Sequence, residues 1–397
     1  GAKNMIHEQW DIPFSRLGYG CYALGGAYGN KVDPSRGEKL IHLAYDLGIR
    51  FFDTADRYGS EEILGKAVKP FRREVSIATK VGVDSQGKMN LSKNHVLSAC
   101  DASLKRMKTD YLDLYQVHYD DPGAPVSQVV EVLEQLKKQG KIRQYGVGHL
   151  PLDKTRQYLE YGRPLSVLAE MSPVALNRYQ ELHPLQERCG FGIIAFSVTG
   201  RGLLTGKIGP NCRFAPGDIR SKDPLFMRLK LASGLRVMEK LAQLGRNYSA
   251  SPAQVAIAWV LSRPGVKVAL TGPTDPAHLK ENCGAMHLNL DLDPADLEEI
   301  SAFIRSENRA LQAQILQDIQ EITREPLKPD PAEAANDLLY ALEHGVEYNL
   351  LPHETAVRLF VRVMKYQKSP ESRGELLECQ REIRTLLQAA LRELLSN

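Results

Sequence analysis

From residue 18 to residue 300, short apolar, β-branched runs alternate with amphipathic stretches, the pattern of repeated βα units around a parallel sheet. Eight such units can be counted, with strands predicted at 17–21, 50–53, 75–79, 112–117, 144–147, 167–170, 192–195 and 266–270. Several intervening helices carry physical start signals. Ser251-Pro252-Ala253-Gln254 reads as a capping box, with Pro252 at the first helical position, where no amide donor is needed. Asp293-Pro294-Ala295-Asp296 combines an Asp cap, a Pro and an acid in the first turn. Residues 10–17, bounded by Pro13 and Gly18, predict a hairpin that closes the bottom of the sheet.

After Ile304 the alternation stops and the pattern is helical throughout, interrupted at Glu325-Pro326-Leu327-Lys328-Pro329-Asp330. This predicts a βα domain over 1–304, a linker helix with a Pro-containing break over 305–329, and a small all-α domain over 330–397. In the last, Asp330-Pro331-Ala332-Glu333 caps a helix striped by Ala335, Leu338, Leu339 and Leu342, with Gly345 as its stop. A second helix is striped by Ala356, Val357, Phe360, Val363 and Met364, and a third by Leu376, Cys379, Ile383, Leu387, Ala390 and Leu394.

A length of 397 residues suits a barrel of about 300 residues with an appendage. The composition is that of a globular protein, 43% hydrophobic and 25% charged. A formal net charge of +3, with no basic stripe interleaved with aromatics, gives no support to nucleic-acid binding. With no signal-like apolar region near the N-terminus and no membrane-length apolar run, the expected location is the cytoplasm. The six cysteines have no paired spacing, which points to reduced thiols and to no metal site.

The chemistry gathers at strand ends, where barrel enzymes place their catalytic groups. Asp53 and Tyr58 lie in Gly48-Ile49-Arg50-Phe51-Phe52-Asp53-Thr54-Ala55-Asp56-Arg57-Tyr58-Gly59, Lys80 in Ile77-Ala78-Thr79-Lys80-Val81-Gly82, and His118 closes Asp113-Leu114-Tyr115-Gln116-Val117-His118. Each residue alone is an ordinary surface or strand-end side chain; the combination is what discriminates. Carbonyl reduction needs a hydride on carbon and a proton on oxygen, where negative charge builds. Tyr58 is the candidate proton donor. A free phenol has a pKa of about 10, and an ammonium such as Lys80, held by Asp53, would favour its phenolate. His118 would aim a ring N–H at the substrate oxygen.

These segments resemble those of the aldo-keto reductases through roughly the first 300 residues. The resemblance implies a (β/α)8 TIM barrel, followed here by the all-α domain, and reversible reduction of an aldehyde or ketone with NADP, or with NAD as the alternative cofactor. It places cofactor contacts at Gly20, Cys21, Tyr22 and Asp53. Where family members have Gly-Val-Ser-Asn after the fifth strand, this chain has Gly146-Val147-Gly148-His149, and Glu170 replaces the usual Gln at the end of the sixth. Those family residues bond the nicotinamide carboxamide, so pairing of His149 with Glu170 is the expectation that would preserve a donor and an acceptor. After the seventh strand, Phe196 matches the aromatic that stacks on nicotinamide, and Ser197, Gly200, Gly202 and Leu203 belong to the matching pyrophosphate-covering loop. Near the last strand, Gly272, Thr274, His278, Glu281 and Asn282 fall at the adenosine end, where Thr274 and His278 occupy the places of the basic residues that grip a 2′-phosphate. Tyr22, Tyr28 and Tyr119 suggest a partly aromatic substrate wall, and substrate choice is assigned to loops 27–32, 119–124 and 214–226. Some relatives add a cysteine cluster for an iron–sulfur centre after the barrel; Cys379 alone excludes that variant here. The rival expectation is a cofactor-sensing or scaffold subunit, as in potassium-channel beta subunits of this fold, that uses the C-terminal helices for a protein partner or for self-association.

Overall fold

The computed structural model describes residues 10–26, 29–324, 326–367, 371 and 373–396, without the side chains of 394–396. Among the expectations above, Ala27 and Tyr28, Glu325 and the Leu394 side chain lie outside the described residues. Eight strands, β1 (Leu17–Gly20), β2 (Phe51–Asp53), β3 (Ser76–Val81), β4 (Leu112–Val117), β5 (Ile142–Val147), β6 (Ser166–Glu170), β7 (Gly192–Phe196) and β8 (Val266–Thr271), pair in sequence order as a closed parallel barrel, with β1 returning to β8. The connecting helices are α1 (Pro34–Asp46), α2 (Glu61–Val68), α3 (Lys93–Met107), α4 (Val126–Lys138), α5 (Leu152–Tyr161), α6 (Asn177–Cys189), α7 (Arg228–Gly245) and α8 (Pro252–Leu261). Two short helices follow β8, α9 (Pro276–Cys283) and α10 (Ala285–Asp291), and then come α11 (Pro294–Arg324), α12 (Pro331–Glu347), α13 (His353–Lys365) and α14 (Arg373–Ser396). The expected caps form: Ser251 and Gln254 complete a reciprocal box, Asp293 accepts from Ala295 N–H and Asp330 from Glu333 N–H.

Among the described residues, no hairpin precedes β1. Residues 10–16 are irregular, and Trp10 and Ile12 bury themselves against Phe51, Ala78, Leu114 and Ile194 inside the barrel. Burial of apolar side chains, rather than strand pairing, fixes this segment, which is why a periodicity argument misreads it.

The chain divides into two compact units that do not follow the linear boundaries expected from sequence. One comprises 1–208, 215–219 and 238–298, and contains the barrel; the other comprises 209–214, 220–237 and 299–397. Residue 304 falls inside the continuous helix α11. The helical unit has its own core, including Ile315 and Ile319 of α11, Leu338 and Leu342 of α12, Leu359 and Val363 of α13, and Cys379 and Ile383 of α14. Within it, the N-terminal half of α7 is held by ion pairs from Arg228 to Asp318, Lys230 to Glu347 and Arg236 to Glu307, and Phe214 packs edge-on against Phe226. These contacts draw part of the expected substrate loop 214–226 into the helical unit. Two finer expectations change. Gly345 does not stop α12, which runs to Glu347, and its carbonyl accepts from the Leu350 and Leu351 amides. The buried face of α13 is Ala356, Leu359 and Val363, which leaves Val357 and Met364 exposed.

Candidate active site

Asp53 ends β2, Lys80 lies in β3 and His118 follows β4, so three adjacent strands deliver their functional groups to one rim of the barrel, with Tyr58 on the loop after β2. Lys80 is fully buried; its Nζ donates to Asp53 Oδ2 at 2.7 Å and to the Thr54 carbonyl at 2.7 Å. Gln116 of β4 donates to the other Asp53 oxygen at 3.0 Å. Taking two charges out of water costs several kcal/mol each, roughly, unless they are paired and their remaining valences are satisfied, and Gln116 and Thr54 complete that requirement. Gln116 is the residue that the sequence reasoning passed over; its signal was a polar side chain inside an apolar strand, two positions before His118. The loop after β1 runs so close to Tyr58 that a Cβ on Gly25 would lie 1.8 Å from the Tyr58 carbonyl oxygen, so only glycine lets the two loops meet. Tyr22 leans on Tyr58 at 5.0 Å between ring centroids, and His118 meets the Tyr58 ring edge-on at 6.0 Å.

Burial by itself would lower the Lys80 pKa, but Asp53 and Tyr58 outweigh it and hold the ammonium above its ordinary value. Lys80, with Nζ 4.7 Å from the Tyr58 ring centroid, pulls that phenol down as expected from sequence. Burial of Tyr58 is the larger effect, so the phenol is raised overall and stays protonated at neutral pH. His118 is pushed down to about 3 by burial, then by Lys80 and Arg57, so its ring is neutral. Its Nδ1 is buried without a partner. An unpaired buried N–H costs more than an unpaired ring lone pair, which favours placing the single ring proton on Nε2. The arrangement is an acid, Tyr58, beside a neutral donor, His118, over a fixed ammonium.

The opposite arc, at the ends of β5 to β7, is built differently. A Cβ at Gly148 would sit 2.3 Å from the Val117 carbonyl oxygen, to which the Gly148 amide donates at 2.8 Å. Packing against β4 thus excludes the family's serine at this position. Phe196 ends β7 beside Glu170, its register partner on β6, and His149 meets the Phe196 ring edge-on at 5.7 Å. The expected pairing of His149 with Glu170 is replaced by an ion pair of Glu170 Oε1 with Arg201 Nη2 at 2.9 Å. Arg201 is a second residue missed from sequence, since it lies thirty-one positions beyond its partner in a glycine-rich loop. Burial lowers the His149 pKa to about 4, with Arg178 and Arg201 adding to the effect, so this ring too is neutral.

The loop after β7 turns through left-handed Ser197, Gly200, Arg201 and Gly202, with φ of 53°, 62°, 54° and 94°. For Ser197 and Arg201 such a backbone stores strain, as ligand-clamping loops do. Leu203 is buried and its amide is spent on the Gly200 carbonyl, so the structure does not bring its side chain to the rim. Cys21 is buried as well, with its amide on the Asp53 carbonyl at 2.8 Å, while Tyr22 is exposed. Gly20 and Gly272 pass so closely that a Cβ on the latter would lie 2.3 Å from the Gly20 carbonyl oxygen. At the far end, Asn282 is buried with its amide on Thr271 Oγ1 at 2.9 Å, Thr274 accepts through its carbonyl from Arg36, and Lys207 reaches both His278 and Glu281.

An eight-stranded parallel barrel with an Asp–Lys–Tyr–His group at the carboxyl ends of its strands defines a carbonyl oxidoreductase of the nicotinamide-dependent class. The Aldo/keto reductase family matches residues 16–305, and the chain belongs to that family. It is 35% identical over 294 residues to a probable aldo-keto reductase 1 of Glycine max, covering 72% of this chain and 84% of the relative. It is 32% identical over 314 residues to an NADH-specific methylglyoxal reductase of Escherichia coli, covering 73% and 96%. Among solved structures, a glycerol dehydrogenase from Gluconobacter oxydans superposes with a TM-score of 0.66 at 26% identity, covering 75% of this chain and 93% of the other. Among the described residues, no helix is long and apolar enough to cross a membrane.

Proposed function

We propose that the barrel reduces an aldehyde or ketone to the alcohol, and runs in reverse when ratios favour it, with Tyr58 as the proton donor. The observation that carries this reading is the raised, protonated Tyr58 set between the Lys80 ammonium and a neutral His118. His118 Nε2–H orients the carbonyl oxygen, Tyr58 gives it a proton, and Lys80, held by Asp53, Thr54 and Gln116, stabilises the phenolate left behind. A reduced nicotinamide supplies the hydride. The chain offers it the partly exposed face of Phe196, the acceptor Glu170 and the neutral ring of His149 at one end. The left-handed loop of Ser197, Gly200 and Gly202 lies between, and Gly272, Thr274, His278, Glu281 and Asn282 make up the other end. NADP is the expected cofactor with NAD as the alternative; the E. coli relative is named as NADH-specific. Tyr22 and Tyr119 line the substrate side, where Tyr119 stacks on His118 at 4.1 Å between centroids.

The scaffold reading has one observation in its favour, the exposed row Val357, Val361 and Met364 on α13, which would suit a protein partner or a second copy. The buried Lys80–Asp53 pair, with half-buried Tyr58 and His118 beside it, favours the reductase reading, because a structural Lys–Asp pair has no need of those two side chains. The test is turnover of a panel of aldehydes and ketones, with Tyr58→Phe as the control. We expect the variant to bind cofactor as tightly as the parent and to lose roughly a hundredfold or more in rate. Unchanged turnover in Tyr58→Phe would remove the assignment of the donor.

A further inference from the structure

Eight large apolar side chains are exposed among the described residues, and five of them stand singly on separate segments, as is ordinary for a protein surface. The other three, Val357, Val361 and Met364, are 49%, 61% and 40% exposed and recur at i, i+4 and i+7 of α13. That spacing makes an apolar stripe. It lies on the side of the helix away from Ala356, Leu359 and Val363, which are buried in the core of the helical unit. Helix α13 is therefore apolar on two faces, and its own unit covers one of them.

The charges flanking the stripe narrow the choice of occupant. Arg358 is paired with Glu382 of α14, and Arg362 with Glu375, Glu378 and Glu382. Glu354 and Lys365 are both exposed, and among the described residues neither makes an ion pair; Lys365 has the Tyr366 ring, with Nζ 5.6 Å from its centroid. An acid in the first turn and a base in the last suit the dipole of their own helix. They also make the face complementary to itself. At about 100° per residue, Val357 and Met364 fall about 40° and 60° to one side of Val361, and Glu354 and Lys365 about 20° and 40° to the other.

From this geometry we infer that the exposed face of α13 docks on the same face of a second copy of the chain, as an antiparallel helix pair about a two-fold axis. Such an axis, perpendicular to the plane of the two helices, keeps each flank facing itself and reverses the order along the helix. With the axis between Phe360 and Val361, Val357 stands level with Met364 of the second copy, and the two Val361 side chains meet at the centre. At about 1.5 Å of rise per residue, Glu354 then lies within about 3 Å, along the helix, of Lys365 of the second copy, and the reverse pair forms at the other end. One helix face is small against the roughly 1,200 Å² of the smallest stable interfaces, so the dimer is weak and forms with rising concentration. The inference is independent of the reductase reading, and it gives an occupant to the one surface that favours the scaffold reading.

The experiment is analytical ultracentrifugation of the full chain between roughly 5 and 500 µM, a range that covers weak association. The proteins are the parent, Val361→Glu, Glu354→Lys, Lys365→Glu, and an equimolar mixture of the last two. We expect the parent to pass from monomer to dimer. Val361→Glu sets two carboxylates against each other at the centre and should weaken association roughly a hundredfold or more. Glu354→Lys and Lys365→Glu each place like charges together at both ends and should weaken it roughly tenfold. In the mixture opposite charges meet again at both ends, and association should return to that of the parent. A misfolded variant could not be rescued in this way, so the mixture separates a lost contact from a lost fold. A parent that stays monomeric throughout, a dimer indifferent to Val361→Glu, or a mixture no better than its components overturns the proposal, and the first of these gives the face to a partner of another kind.

Discussion

The two arcs of the barrel rim handle charge in opposite ways. On the β2–β4 arc, Lys80 and Asp53 are almost wholly buried, with Thr54 and Tyr58 as further partners of Lys80 and Gln116 as a further partner of Asp53. On the β5–β7 arc, Glu170 and Arg201 form a pair of similar length, 2.9 Å, in which the side chains retain 29% and 20% exposure. In the proposed reaction the first arrangement would fix the proton donor, while the second leaves a carboxylate with part of its surface exposed. On the proposed reading, reactive geometry is held by strands and burial, and cofactor recognition falls to the loop with left-handed Ser197 and Arg201.

The largest effect that tests this contrast is on stability. Lys80→Met leaves Asp53 as a buried, uncompensated charge, and we expect a loss of about 3–5 kcal/mol in urea unfolding. Arg201→Met removes the same kind of partner from Glu170 where water can replace it, and should cost at most about 1 kcal/mol. Comparable losses in the two variants would erase the distinction between the arcs. Asp53→Asn added to Lys80→Met should recover part of the first loss, because it removes the stranded charge.

A second effect is pH-dependent. His118 is held at about 3, below the ordinary histidine value of about 6.5, so the unfolded chain binds this proton more readily than the folded one. Its contribution to stability is therefore complete above about pH 6.5 and is lost as pH falls toward 3, at no more than about 1.4 kcal/mol per pH unit. His118→Gln should flatten that acid limb in unfolding titrations between about pH 6.5 and 4. For the same reason kcat/KM for reduction should show no histidine break near pH 6.5, and finding one would mean that the ring is not held neutral.

The legible parts of the molecule were those in which chemistry and fold coincide over short stretches. Asp53, Lys80 and His118 each sit within two residues of a predicted strand end, and alternation of apolar runs located all eight strands of the barrel. What the sequence withheld was pairing over distance. Arg36 meets Thr274 across 238 positions, and Arg228 meets Asp318 across 90, a contact that carries the start of α7 into the helical unit and breaks a linear domain boundary. Gly148 stands where the family has a serine, and only the approach of the Val117 carbonyl shows why a side chain is excluded there. Residues 10–16 failed for another reason: an irregular segment that buries Trp10 and Ile12 has no periodicity to read.

The smallest expected effect bears on the altered arc itself. Glu170→Gln restores an amide at the end of β6 but leaves Arg201 without its carboxylate. An ionised carboxylate only accepts, so in the parent it suits the –NH2 of a carboxamide and repels a carboxylate at the same ring position. The amide both donates and accepts, and should bind the carboxamide about as well. We therefore expect Glu170→Gln to change NADPH affinity by no more than roughly threefold, a difference of under about 1 kcal/mol. The informative ligand is the nicotinic acid analogue of the cofactor, which carries a carboxylate in place of the carboxamide. The parent should discriminate against it strongly and Glu170→Gln, with Arg201 released, should discriminate less. Equal discrimination by both proteins would mean that Glu170 does not face the ring substituent, and that its pair with Arg201 serves only to hold the loop after β7 in its left-handed path.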